Sequence, residues 1–159
     1  VHHKKVSKAV EKADFIIIWP GDLFTSIISN FIISWVQKSI KETDAKIIYI
    51  WNNTNKWGET MWLTQLDFVN KIERFLWRRI DYFIANNKKP ILSQAELESF
   101  KSDISVKWWD YIFVSNWERK ELERRKIKLI EADLLDDESF YKHSKQKLLN
   151  VLEQLFFWE

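Results

Sequence analysis

The turn Trp19-Pro20-Gly21-Asp22 is entered from three isoleucines and left through Thr25-Ser26 into a long amphipathic segment, the outline of a phosphate-binding loop. Such a loop works by letting backbone N–H groups approach an anion at the start of a helix. Trp19 puts an indole where that approach leaves least room. Two more polar loops follow apolar runs in the same way: Asn52 to Thr60, which carries Gly58 and Glu59, and Asn86-Asn87. In an open parallel sheet ligands bind at the carboxyl edge of the strands, so the three loops are expected to converge on one cleft. Each also has a structural role to weigh against that: Thr25 or Ser26 as a helix cap, the asparagines as turn formers, Glu59 as a solvated acid. Taken singly each favours the structural role, and only three polar loops at one edge bring in the functional one.

The elements that must position these loops alternate short β-branched runs with helical periodicity, the pattern of a mainly parallel α/β sheet with crossover helices. Strands are expected at Phe15 to Trp19, Lys46 to Ile50, Asp81 to Ala85, Tyr111 to Val114 and Lys128 to Ala132. Apolar residues recur at helical spacing from Ser26 to about Thr43 (Ile28, Phe31, Ile32, Trp35, Val36, Ile40) and from Thr64 to Leu76. Ser93 stands at capping-box distance from Glu96, the mixed-charge run Glu118 to Lys126 reads as a solvated helix face, and Ser144 to Phe157 reads as a closing helix.

Composition bounds the function. The net charge is +2, from 25 basic and 23 acidic residues, which argues against a dedicated nucleic-acid binder. Without cysteine there is no disulfide, thiolate chemistry or cysteine zinc site, and His2-His3 is not read as a metal pair. No apolar stretch reaches membrane-span length and no signal or lipidation motif is visible, so a soluble cytoplasmic protein without membrane contact is expected.

Glycine and tryptophan usage is anomalous. At average usage the chain would hold roughly 11 glycines; it has 2, with 10 tryptophans. Several tryptophans punctuate elements, where glycine supplies positive φ or a helix stop: Trp57 before Gly58, Trp62 just beyond, Trp77 after Phe75-Leu76, and Trp108-Trp109 before Asp110. Translation of UGA as tryptophan, in a gene from a lineage that reads it as glycine, accounts for this better than a Trp-rich core, which would overpack or stay exposed. UGG at all ten codons would remove that account.

With Trp19 set back to glycine, Ala13 to Asn30 reads ADFIIIGPGDLFTSIISN. This resembles the "AD-x-I-hydrophobic-GPGSLYTS-hydrophobic-IPN" signature of the gluconeogenesis factor family, in the 2-phospho-L-lactate transferase-like superfamily. The second loop is similar too: Asn52, then Gly58-Glu59-Thr60 and Met61-Trp62-Leu63-Thr64, looks like the family's "N…GET-x-G-aromatic-T". Asp67-Phe68-Val69 falls at its Asp-His-Val, Asp81 to Asn86 resembles its "D-hydrophobic-hydrophobic-VN" strand, and Glu131 to Leu135 with His143 fits its tail. Positions 19, 35, 62 and 77 are where the family tends to have glycine. The chain departs at Asp22 (a small hydroxyl residue in the family), Ser29 (proline), Trp57 (proline), Leu63 (aromatic) and Phe68 (histidine), the last putting any role for that histidine in doubt. The family's amino-terminal half has no counterpart here, so residues 1–159 are expected to be one α/β domain, the carboxy-terminal part of a longer protein.

The resemblance implies a Rossmann-like three-layer fold and a cytoplasmic, non-catalytic regulator of cell shape and carbon metabolism that binds a nucleotide sugar such as a UDP-sugar. It implies that Gly21 and a glycine at 19, with Pro20 and Asp22 in the same turn, present loop amides to a phosphate, with Thr25 and Ser26 adding hydroxyls. Asn30, Asn52, Thr60 and Asn86 would read sugar or base edges, with Glu59 and Asp67 orienting the loops around Gly58. Self-association is left open, and no resident metal is expected. The alternative the superfamily implies is an enzyme transferring a phospholactyl-type group to a deazaflavin acceptor, with Mg and the carboxylates Asp22, Glu59 and Asp67.

Overall fold

The computed structural model describes residues 3–55, 58–91, 93–95, 98, 112–139 and 142–157. Four strands, β1 (Phe15–Ile18), β2 (Lys46–Ile50), β3 (Tyr82–Asn86) and β4 (Lys128–Ala132), pair in parallel in chain order. Parallel neighbours need crossovers, and helices supply them. Between β1 and β2 lie a wide π-type turn at Leu23–Ile28, the short α2 (Ser29–Phe31) and α3 (Ser34–Glu42); α4 (Gln65–Leu76) joins β2 to β3; α5 (Asn116–Arg124) precedes β4. An opening helix, α1 (Lys4–Glu11), contacts α3, and α6 (Lys145–Phe157) closes the described chain.

Side-chain alternation along the strands makes three layers. Ile47, Tyr49, Phe83 and Ala85 face a core built with Leu23, Ile27, Leu66, Val69, Ile72 and Leu122 from the crossover elements. Ile48, Ile50, Tyr82 and Ile84 face the other way, against Leu148, Leu152 and Leu155 of α6. β2 and β3 are buried on both faces, which is why they read as unbroken apolar runs.

Three expectations change. The single helix from Ser26 to Thr43 is interrupted at Ile32-Ile33, where Ile33 turns extended (ψ 110) as the cap of α3. Ile112 to Val114 do not join the sheet, although Val114 is buried; residue 111 lies outside the described residues, as does Glu96 with most of the helix expected after Ser93. The run from Glu118 is not uniformly solvated. Glu118 is buried in a capping box with Ser115, and its Oε1 also accepts from the Leu66 amide at 3.1 Å, tying α5 to α4.

The chain between α4 and β3 is fixed by charge. Arg78 donates to the carbonyls of Ile40, Thr43 and Ala45, and Asp81 accepts from the Ile47 amide at 2.9 Å, so one turn holds both the end of α3 and the start of β2. α4 itself ends at Trp77, whose backbone is left-handed (φ 56, ψ 25), the conformation glycine normally supplies at a helix stop.

Candidate ligand-binding site

A cavity of about 630 Å³ opens at the carboxyl ends of β1 and β2, between the loops that follow them. Its first wall is the turn after β1: Trp19, Pro20, Gly21, Asp22 and Leu23. Asn52 locks that turn to the second loop, its Oδ1 accepting from the Gly21 amide at 2.9 Å and its Nδ2 donating to the Gly21 carbonyl at 2.8 Å. The Gly21 N–H expected to face a phosphate is thus engaged by Asn52 in this state. A Cβ at position 21 would meet Ser26 Cβ at 3.0 Å, so a larger residue there would require Ser26 to shift. Trp19 is 58% exposed and lines the mouth rather than plugging the interior.

The second wall is Asn52 to Asn55 with Glu59 and Thr60. Asn55 is only 2% exposed; its Nδ2 donates to the Leu63 carbonyl at 3.1 Å, while its Oδ1 accepts from none of the described residues. Gly58 turns this loop with φ 75 but does not line the cavity. Phe68, buried against Trp51 with ring centroids 4.2 Å apart, makes an apolar floor where the family pattern has histidine.

The third wall is Lys142, His143 and Lys145, brought back over the sheet by an antiparallel bridge between His143 and Leu135 and by the Ser144 amide donating to the Leu134 carbonyl at 2.8 Å. Burial holds the His143 imidazole below its ordinary pKa, and a hydrogen bond to the Trp51 main chain opposes this only in part. Nε2 is buried without a partner among the described residues, so the Trp51 bond belongs to Nδ1, which donates, and Nε2 is the unprotonated nitrogen of the neutral ring. Sequence reasoning placed His143 only in a family motif and did not bring this segment to the site; no local signal carries that placement.

Of the residues singled out from sequence, Trp19, Pro20, Gly21, Asp22, Asn52, Glu59 and Thr60 meet at the cavity. Thr25, Ser26 and Asn30 lie on the exposed side of the turn after β1, with Asn30 Nδ2 donating to the Ser26 carbonyl at 2.6 Å. Asp67 is the reciprocal partner of Thr64 in the α4 capping box. Asn86, at the end of β3, bonds both ways with Lys88 and accepts from the Leu134 amide at 3.0 Å, joining the loops after β3 and β4. Thr25, Asn30, Asp67 and Asn86 each commit the side chain to a hydrogen bond within the fold.

A magnesium ion bound with substrate phosphates needs one or two protein carboxylates. Asp22 and Glu59 line the cavity, Asp67 is taken by its helix cap, and among the described residues no three His, Asp or Glu side chains gather into a cation cage. The described residues therefore make no all-protein magnesium cage; Asp22 and Glu59 are the carboxylates that would face a magnesium ion whose remaining ligands came from substrate phosphates.

Fold and cavity together define an α/β, Rossmann-like domain with its pocket at the carboxyl edge of a parallel sheet. Residues 2–135 match the family described as 2-phospho-L-lactate transferase CofD, and the chain belongs to that family. It is 32% identical over 155 residues to a Thermotoga maritima protein named "Putative gluconeogenesis factor", covering 97% of this chain and 48% of the relative. A Nostoc protein of the same name is 32% identical over 149 residues, covering 91% of this chain and 31% of its own length. A crystal structure of a Bacillus halodurans member of the UPF0052 family superposes with a TM-score of 0.78 at 23% identity, over 95% of this chain and 46% of that one, which shows the shared fold. The chain therefore spans about half the length of these two structural and sequence relatives, from Thermotoga and Bacillus, or less in the Nostoc case.

Proposed function

We propose that this chain forms part of a cytoplasmic regulatory protein of the gluconeogenesis factor type, which binds a nucleotide sugar and couples its level to cell shape and carbon metabolism. The observation that carries the reading is the cavity: its volume of about 630 Å³ suits a ligand of nucleotide-sugar size. Its lining is divided in the way such a ligand requires. Lys142 and Lys145 supply cationic charge for a diphosphate, the asparagine-rich second wall supplies amide donors and acceptors for hydroxyls, and Phe68 supplies an apolar surface.

The test is a thermal-shift titration with UDP-N-acetylglucosamine, beside UMP and free N-acetylglucosamine, on the chain and its Asn52→Ala variant. Saturation at a hundred times Kd stabilises a binding protein by roughly 2.7 kcal/mol. A rise in Tm with the UDP-sugar that Asn52→Ala diminishes is expected; no rise at millimolar UDP-sugar overturns the reading. The alternative, transfer of a phospholactyl-type group to a deazaflavin acceptor, rests on the description of the matched family. Magnesium-dependent turnover of such an acceptor would replace the regulator with the enzyme.

A further inference from the structure

α6 opens Lys145-Gln146-Lys147, two cations at the end of a helix where the dipole disfavours them. Lys145 lines the ligand cavity, which gives its charge a use. Lys147 turns the other way, into a smaller cavity of about 240 Å³ between the loops that follow β3 and β4. An ammonium has three N–H donors. Three groups accept from this one: the Leu135 carbonyl at 2.8 Å, Asp137 Oδ1 at 2.9 Å and the Asp133 carboxylate at 3.3 Å. What offsets the cation at the helix end is therefore the chain leaving β4, not α6 itself.

Those acceptors alternate along the outgoing limb of an excursion that runs from β4 to the start of α6, and Lys147 stands just past its return. The returning limb carries Lys142 and His143 to the ligand cavity. Main-chain bonds join the two limbs: the Asp136 amide donates to the Lys142 carbonyl at 3.1 Å, the Ser144 amide donates to the Leu134 carbonyl at 2.8 Å, and Leu135 bridges His143. Leu134 to Asp136, which make all three, are bracketed by the acceptors of Lys147. One ammonium thus grips the outgoing limb on both sides of the residues that keep the returning limb in register.

We propose that Lys147 is a positioning residue for the ligand site: its ammonium holds the outgoing limb so that Lys142 and His143 stay over the cavity. An isolated exposed ion pair would carry little weight in such a role. Here one acceptor is a main-chain carbonyl, and the donor sits in the first turn of a helix anchored to the sheet by Leu148 and Leu152, so the core fixes Lys147 and Lys147 fixes the limb. The consequence for ligand affinity rests on the nucleotide-sugar reading above; the placement of His143 does not.

The experiment reads both. The His143 ring is followed by NMR through a pH titration, with His143→Asn assigning its signal, in the chain, in Lys147→Met and in Asp137→Ala. The Asp137 side chain is 86% exposed, so that variant serves even where Lys147→Met does not fold. Asp22, Glu59, Lys142 and Lys145 share the cavity with His143 and are unchanged throughout. Burial lowers the His143 pKa in the fold, so release of the limb should raise its midpoint toward about 6.5 in both variants. Charge alone gives opposite signs: loss of the Lys147 cation raises a histidine, whereas loss of the Asp137 anion lowers it. A rise in Asp137→Ala is therefore the expected result, and a fall or an unmoved midpoint there overturns the proposal whatever Lys147→Met does. UDP-N-acetylglucosamine should bind both variants more weakly by about fivefold or more. Undiminished affinity in both also overturns the proposal. Should the unaltered chain not bind the UDP-sugar at all, the nucleotide-sugar reading fails and the titration decides the role of Lys147 by itself.

Discussion

Trp77 ends α4 with φ 56, and the cost of that backbone can be measured apart from everything else the indole does. A left-handed residue with a Cβ is strained by roughly 1–2 kcal/mol, and glycine gives back part of the difference through its larger unfolded-state entropy, about 0.5–1 kcal/mol. The indole is 63% exposed and receives the Lys41 ammonium 5.7 Å from its ring, so any truncation also loses some burial and a weak cation–π contact. Comparing Trp77→Gly with Trp77→Ala cancels those losses. The glycine variant should be the more stable of the two by about 1 kcal/mol, which for a domain of this size is roughly 2–4 °C in Tm. Trp117, exposed within α5, is the control: helical backbone there reverses the order, with alanine ahead of glycine by about 0.5–1 kcal/mol. Differential scanning calorimetry of the four variants reads both signs. Alanine equal to or better than glycine at 77 refutes the argument, and with it the structural support for a glycine position there.

Two further outcomes follow from the hydrogen bonds. Arg78→Ala removes donors to three carbonyls at the junction of α3, β2 and β3, and should cost at least about 2 kcal/mol in urea denaturation, with Arg78→Lys recovering little because an ammonium cannot span all three. His143 has a lowered pKa in the fold, so the unfolded chain takes up its proton first: stability is complete above the ordinary histidine range near pH 6.5 and falls as pH drops below it, by at most about 1.4 kcal/mol per pH unit. His143→Asn should flatten that part of the pH–stability profile; an unchanged slope between pH 5.5 and 6.5 would show that His143 is not responsible.

Much of the scaffold was written locally. Lys46–Ile50 and Lys128–Ala132 are the strands read from β-branched runs, and α4 begins after Thr64 because the threonine hydroxyl and the Asp67 carboxylate satisfy each other's end of the helix, a signal four residues long. Side-chain period and capping are short-range physics, so sequence alone determines them. What it could not assign is the partner a polar side chain would find. Asn52 and Asn86 look alike in sequence, both just past a strand, yet one lines the cavity while the other is spent joining two loops. Lys142, His143 and Lys145 reach the site only because the chain turns back through the Leu135 bridge, more than 90 residues after Asp22. Such placements depend on sheet order and on competition among distant hydrogen-bond partners, and only the folded chain decides them.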